Sequence, residues 1–133
     1  MIFNIELEQH LLAGIIKYPK KYFDISSFIS EDDFYSEDSY VNKTLFLVIK
    51  QIIESGEQVD DLVLSQRVKS LGISFEDNID IFEYIKSLRL RRISDSSIIS
   101  IAEDLKKVTA RRLISKSCLD VVKKMKSSPL DKS

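Results

Sequence analysis

Residues 98–125, IISIAEDLKKVTARRLISKSCLDVVKKM, decide the fold of this chain. At about 100° per residue, Ile98, Ile101, Ala102, Leu105 and Val108 fall on one face of a helix. Ala110, Ile114, Cys118, Val121 and Met125 fall on roughly the opposite face, and the doublet Arg111-Arg112 sits at the crossover. A helix docked on a single core keeps one apolar stripe. A helix that changes stripes leaves its own domain and offers its second half to something else. The expectation is an interaction module with a protruding arm.

The sequence upstream of the arm is helical by the same test. Helix one starts at Asn4, a residue type that caps helix N-termini, with Glu6 and Glu8 near the positive end of the dipole. Leu7, Leu11, Leu12, Ile15 and Ile16 form its inner face, and Lys17-Tyr18-Pro19 ends it because the residue before proline avoids the α region. Tyr22, Phe23, Ile25, Phe28 and Ile29 suggest a short second helix before the polar run Ser30-Glu31-Asp32-Asp33. Helix three, from about Ser39 to Ser55, buries Val41, Leu45, Val48, Ile49, Ile52 and Ile53, with Gly56 placed to close it. Helix four starts at Asp60 or Asp61, points Leu64, Val68 and Leu71 inward and closes at Gly72. Helix five follows Asp77 with the stripe Ile81, Phe82, Ile85 and Leu88. Ser94 or Asp95 then caps the long helix, which Ser127-Ser128-Pro129 ends. No segment sustains period-two alternation.

The fold class is therefore all-α: a compact bundle of about five helices plus a long protruding C-terminal helix. A globular core occupies 1–94, the arm 95–126, and a polar tail or linker start 127–133. The core should include Leu12, Ile16, Phe34, Leu45, Ile49, Ile52, Leu64, Val68, Phe82, Ile85 and Leu105.

Composition agrees. The chain has 133 residues, enough for one domain with a real core. With 3 glycines and 2 prolines, it lacks the turn residues of a β-sandwich. Its single cysteine, Cys118, allows no internal disulfide, and no run approaches a membrane span. The N-terminus carries acids where a signal peptide carries Lys or Arg. A reduced, cytoplasmic protein is expected.

The net charge of −1 conceals a polarity. Residues 1–85 hold 16 acids and 7 bases, whereas residues 86–133 hold 5 acids and 13 bases. The basic arm, with Arg111, Arg112, Lys116, Lys123 and Lys124, faces either an acidic partner or solvent. DNA contact is expected to be weak or absent, because residues 85–133 contain no Phe, Tyr or Trp to stack on bases.

Catalytic equipment is missing. A nucleotide-binding loop reads G-x-x-x-x-G-K-[ST], and Gly14, Gly56 and Gly72 are too far apart to build one. His10 and Cys118 are too few for zinc, and no strand-turn-helix elbow frames any serine. The acids Glu31-Asp32-Asp33 read better as a turn cap that seats Phe34 in the core than as a magnesium site, with Tyr35 at the rim. We expect no catalytic, cofactor-binding or metal residues. The candidate site is the arm's second face, Ala110, Ile114, Cys118, Val121 and Met125, as a partner or self-association surface.

The order of landmarks resembles the N-terminal domain of DnaB-type replicative DNA helicases, from about Ile5 to Ile114. Glu8-Gln9, Leu11-Leu12 and Ile15-Ile16 resemble the family's opening E-Q-x-V-L-G-x-[IL]-[IL]. Asp33-Phe34-Tyr35 resembles its D-F-Y, and Leu45-Phe46 with Ile49 and Ile52 its I-F-x-A-I. Gly56, Val59-Asp60 and Leu64 resemble G-x-P-[IV]-D-x-x-T-L, and Ala102 with Arg111-Arg112-Leu113-Ile114 the closing A-x-x-[IV]…R-x-L-I. The chain departs at Ala13-Gly14, at Gln58 in place of proline, at Val63 in place of threonine, and at Glu76-Asp77-Asn78 where a glycine pair is usual. A divergent or phage-encoded relative fits such drift; the protein would then sit in the host cytoplasm.

The resemblance implies a domain that is not the motor. It pairs through a two-helix hairpin, forms a collar on a hexameric ring, and receives primase and, in some systems, the loader. The arm resembles the first helix of that hairpin, with Ser128-Pro129-Leu130-Asp131 as its tip, so the chain is expected to be a fragment of an ATP-dependent helicase. Its partners would be primase, loader and other copies of the helicase chain. A helicase-binding domain of a primase, or a loader adaptor, resembles the same architecture and stays open; a Walker loop beyond Ser133 would separate the two. A salt-dependent DNA-binding domain is a third reading, and an independent enzyme comes last.

Overall fold

Where the stripes predict helices, the chain is helical. The structure is a computed structural model that describes residues 4–35, 40–75 and 78–127. Helix α1 spans Ile5–Lys17. A 3-10 turn at Pro19–Lys21 leads into the short α2, Tyr22–Ile25, and a second 3-10 turn covers Glu31–Asp33. Helices α3 (Val41–Glu54), α4 (Asp61–Ser70) and α5 (Ile81–Arg89) follow. A 3-10 turn at Asp95–Ser97 feeds α6, Ile98–Ser127. Among the described residues there is no strand.

The termini of these helices follow from side-chain chemistry. The Asn4 side chain accepts from the Leu7 N–H, Asp60 from Leu62 and Val63, and Asp80 from Glu83. Each cap satisfies amide donors that no helical carbonyl reaches. At the other ends, Gly56 (φ 76°) and Gly72 (φ 68°) adopt the left-handed conformation that turns the chain away.

The core lies between α1, α3, α4, α5 and the first half of α6. Its largest buried side chains include Phe34, Phe46, Leu11, Leu12, Ile15, Ile16, Ile25, Leu45, Ile49, Ile52, Leu64 and Ile85. Helix α6 lies mainly along α1. That approach depends on Gly14. A Cβ there would stand 2.9 Å from Cγ1 of Ile98 and 3.1 Å from Cδ1 of Ile93, closer than carbon atoms pack. The missing side chain is a groove in α1 that seats the start of α6. We expect Gly14→Leu to cost at least the roughly 1–3 kcal/mol typical of overpacking. Urea unfolding checks this, and an unchanged midpoint would contradict it.

Several expectations need correction. Phe82 is not a core residue: it sits on the flank of the Ile81–Ile85–Leu88 stripe, half-buried, with the Lys86 ammonium 5.4 Å from its ring centroid. Leu71 is exposed, because α4 ends at Ser70 and Gly72 redirects the chain before that side chain reaches the core. Helix α2 ends at Ile25, leaving Phe23 58% exposed. Tyr35 is buried rather than at the rim. Helix α5 takes its cap from Asp80; Asp77, Ser39 and the tip Ser128-Pro129-Leu130-Asp131 lie outside the described residues.

Candidate partner-docking face

Helix α6 divides into a docked half and an exposed half. Ile98, Ile101, Ala102 and Leu105 are buried in the core, with Thr109 beside them and Val108 half-buried. From Leu113 to Met125 every side chain is exposed except that of Ser115. The sequence-derived face is therefore uncovered along its length. Ala110 and Cys118 are exposed, as are Ile114 (64%), Val121 (55%) and Met125 (71%). Leu113 and Val122 on its flanks are exposed as well, so the apolar surface is wider than the stripe drawn from periodicity, whereas the exposed Leu119 falls on the opposite side.

The basic residues of the arm separate into two groups. Arg111, Lys116, Lys123 and Lys124 are exposed. At helical spacing Lys116 and Lys123 fall opposite Ala110, Ile114 and Val121, so the apolar face is backed by a cationic one. Arg112 behaves differently: half-buried, it donates through Nη2 to the Asp32 carbonyl at 3.0 Å. It belongs to the root of the arm rather than to its outer surface.

A polar cluster missed in the sequence stands beside that root. Glu8 is fully buried. Its Oε2 accepts from the Tyr35 N–H at 2.9 Å and its Oε1 from Asn42 Nδ2 at 3.0 Å. Tyr84 donates its hydroxyl to Asn42 Oδ1 and accepts from Gln9 Nε2. Arg91 Nη2 donates to Gln9 at 2.7 Å and to Glu6 at 3.1 Å, and Lys17 donates to the Arg91 carbonyl. The cluster ties α1 to α3, to α5 and to the segment after α5. The signal was present: Glu8 lies three and four residues from Leu11 and Leu12, on the inner face. His10 is a boundary residue, with Nδ1 3.4 Å from Arg91.

Burial pushes the Glu8 carboxyl above its usual range, opposed by the hydrogen bonds from Tyr35 and Asn42 and by the charge of Arg112. The folded protein therefore holds this proton at pH values where the unfolded chain has lost it. Stability contributed by the site is fully present below the unfolded pKa and is lost as pH rises through the raised folded one. The advantage of wild type over Glu8→Ala should widen between roughly pH 7 and pH 5, near and above the ordinary glutamate pKa. Thermal melts across that range test this, and a gap that narrows on acidification would contradict it.

Among the described residues no three His, Cys, Asp or Glu side chains gather as a metal would require, and no helix is long and apolar enough to cross a membrane.

Comparison with known proteins places this architecture. The model of the family described as DnaB-like helicase N terminal domain matches residues 1–107. The chain belongs to that family. A curated relative, the replicative DNA helicase DnaB of Pasteurella multocida, is 27% identical over 99 residues, 74% of this chain and 20% of the relative. The chain thus spans about a fifth of that protein's length. Among solved structures, the N-terminal domain of DnaB helicase from Helicobacter pylori, described with its interactions with primase, superposes with a TM-score of 0.67. The match covers 89% of this chain and 88% of that one at 16% identity, and shows a shared fold. The family match stops at residue 107, just before α6 leaves the core at Thr109, so the exposed half of the helix lies beyond the matched span.

Proposed function

We propose that this DnaB-like domain is the non-catalytic N-terminal assembly and docking domain of a replicative DNA helicase, contributing to its collar and receiving primase, loader or both. One observation carries the reading: α6 is anchored in the core by its first half and presents an uncovered apolar face with its second. A helix that served only its own core would bury one continuous stripe. Family membership supplies the helicase context, and the interactions with primase described for the H. pylori domain supply a partner of the right kind.

The test is direct binding. With the chain immobilised, primase and loader from the same replication system are titrated over it. The reading expects saturable binding by at least one, weakened at least tenfold by Ile114→Glu together with Val121→Glu. Binding by neither, or binding indifferent to those substitutions, would contradict a docking role for this face.

A further inference from the structure

The acidic turn Glu31–Asp33 is gripped from two sides. Asp33 is fully buried; its carboxylate accepts from the Ser30 N–H at 2.9 Å and lies 3.4 Å from Lys106 Nζ on α6. The Asp32 carbonyl accepts from Arg112, also on α6. From the opposite side, Lys43 and Lys50 of α3 stand 3.7 Å from Asp32 and 3.9 Å from Glu31. The turn is thus a short strap between α3 and the middle of α6.

Its position on α6 matters. The apolar docking of that helix is complete by Leu105 and Thr109. Thr109 donates its hydroxyl back to the Leu105 carbonyl at 3.3 Å, a bond that competes with the helical ladder and favours bending at that turn. Arg112 grips the strap one turn further out, and beyond it the arm is exposed. The helix is therefore held strongly on the near side of a natural bend and weakly on the far side. The Arg112 contact with Asp32 is exposed, and exposed contacts of a charged group are individually weak and screened by salt, whereas the buried apolar stripe and the Lys106 contact with the fully buried Asp33 carboxylate are screened far less. The grip at Arg112 can let go while the dock at Leu105 holds.

We propose that the Glu31–Asp33 turn is a releasable electrostatic latch that sets the direction of the arm, with α6 tilting at Thr109 once Arg112 disengages from Asp32 while Lys106 stays on the buried Asp33 carboxylate. The latch decides where the apolar face of the arm is presented to whatever it meets.

Spin labels test this. Lys116→Cys and Ser55→Cys, in a Cys118→Ser background, place one label on the arm away from its apolar face and one on the exposed end of α3. Labelled protein diluted in an excess of unlabelled chain gives distances within single molecules. The latched protein should give one narrow distribution by pulsed electron resonance. Arg112→Gln should at least double its width, with far-ultraviolet circular dichroism and the melting transition of the core retained. Raising salt from about 50 mM to about 500 mM, which shortens the screening length severalfold, should broaden the parent and leave Arg112→Gln nearly unchanged. Lys106→Gln, on the docked side of Thr109, should leave the distribution narrow. Distributions unmoved by Arg112→Gln and by salt would overturn the latch. So would an Arg112→Gln variant that loses arm helicity, because the contact would then be holding the helix together rather than aiming it.

Discussion

Replacing Phe34 by alanine should cost about 3–5 kcal/mol of stability, the range for deleting a buried aromatic ring. Phe34 is 1% exposed and stacks on Phe46 with ring centroids 4.8 Å apart and planes 29° from parallel. The loss combines the transfer of a large apolar surface, the cavity left between α3 and the turn, and the stacking itself. The neighbouring geometry leaves little room to collapse. Asp33 is fixed by Ser30 and Lys106 on one side, and Tyr35 is fixed through its N–H to Glu8 on the other. Against a total stability of about 5–15 kcal/mol, such a loss should bring the unfolding transition close to ambient conditions. Urea unfolding followed by circular dichroism measures it; a loss under about 1 kcal/mol would show that the ring is not part of the core.

Most of the fold was legible because each signal is local. The inner faces of α1 and α3 follow from apolar spacing, and Asn4 and Asp60 cap where their chemistry permits. Gly56 and Gly72 stand at positive φ where helices end. The misplacements have tertiary causes. Phe82 and Leu71 carry apolar side chains at acceptable helical spacing, but the width of a stripe and the last residue of a helix are set by what packs opposite. Tyr22, Phe23, Ile25, Phe28 and Ile29 suggest one short helix, but α2 stops at Ile25 and leaves Phe23 exposed. Glu8 shows the converse limit. Its spacing said interior and its charge said surface, and only partners distant in sequence, Tyr35 and Asn42, resolve the conflict.

The candidate face was legible for the same reason as the fold, since an unpartnered stripe has the periodicity of a partnered one. What the sequence did not separate was Arg112 from the other bases of the arm. Five cations within fourteen residues look alike until the Asp32 carbonyl, far away in sequence, takes one of them.

The central claim is that the second half of α6 serves another molecule and not its own core. A ready complement for that face is the same face of a second copy. Burying five such side chains is worth several kcal/mol at roughly 25 cal/mol per Å² of apolar area, before association costs are subtracted. We therefore expect the chain to pair through its arms at high concentration. Ile114→Glu with Val121→Glu places two charges on that face and should abolish pairing. The core should be untouched, because it is built from Ile98, Ile101, Ala102 and Leu105 on the other side of the helix. Sedimentation equilibrium together with a thermal melt of that double variant is the decisive measurement. The account predicts a monomer with an unchanged core transition, against a self-associating wild type; a variant that unfolds globally, or that sediments as wild type does, would contradict it.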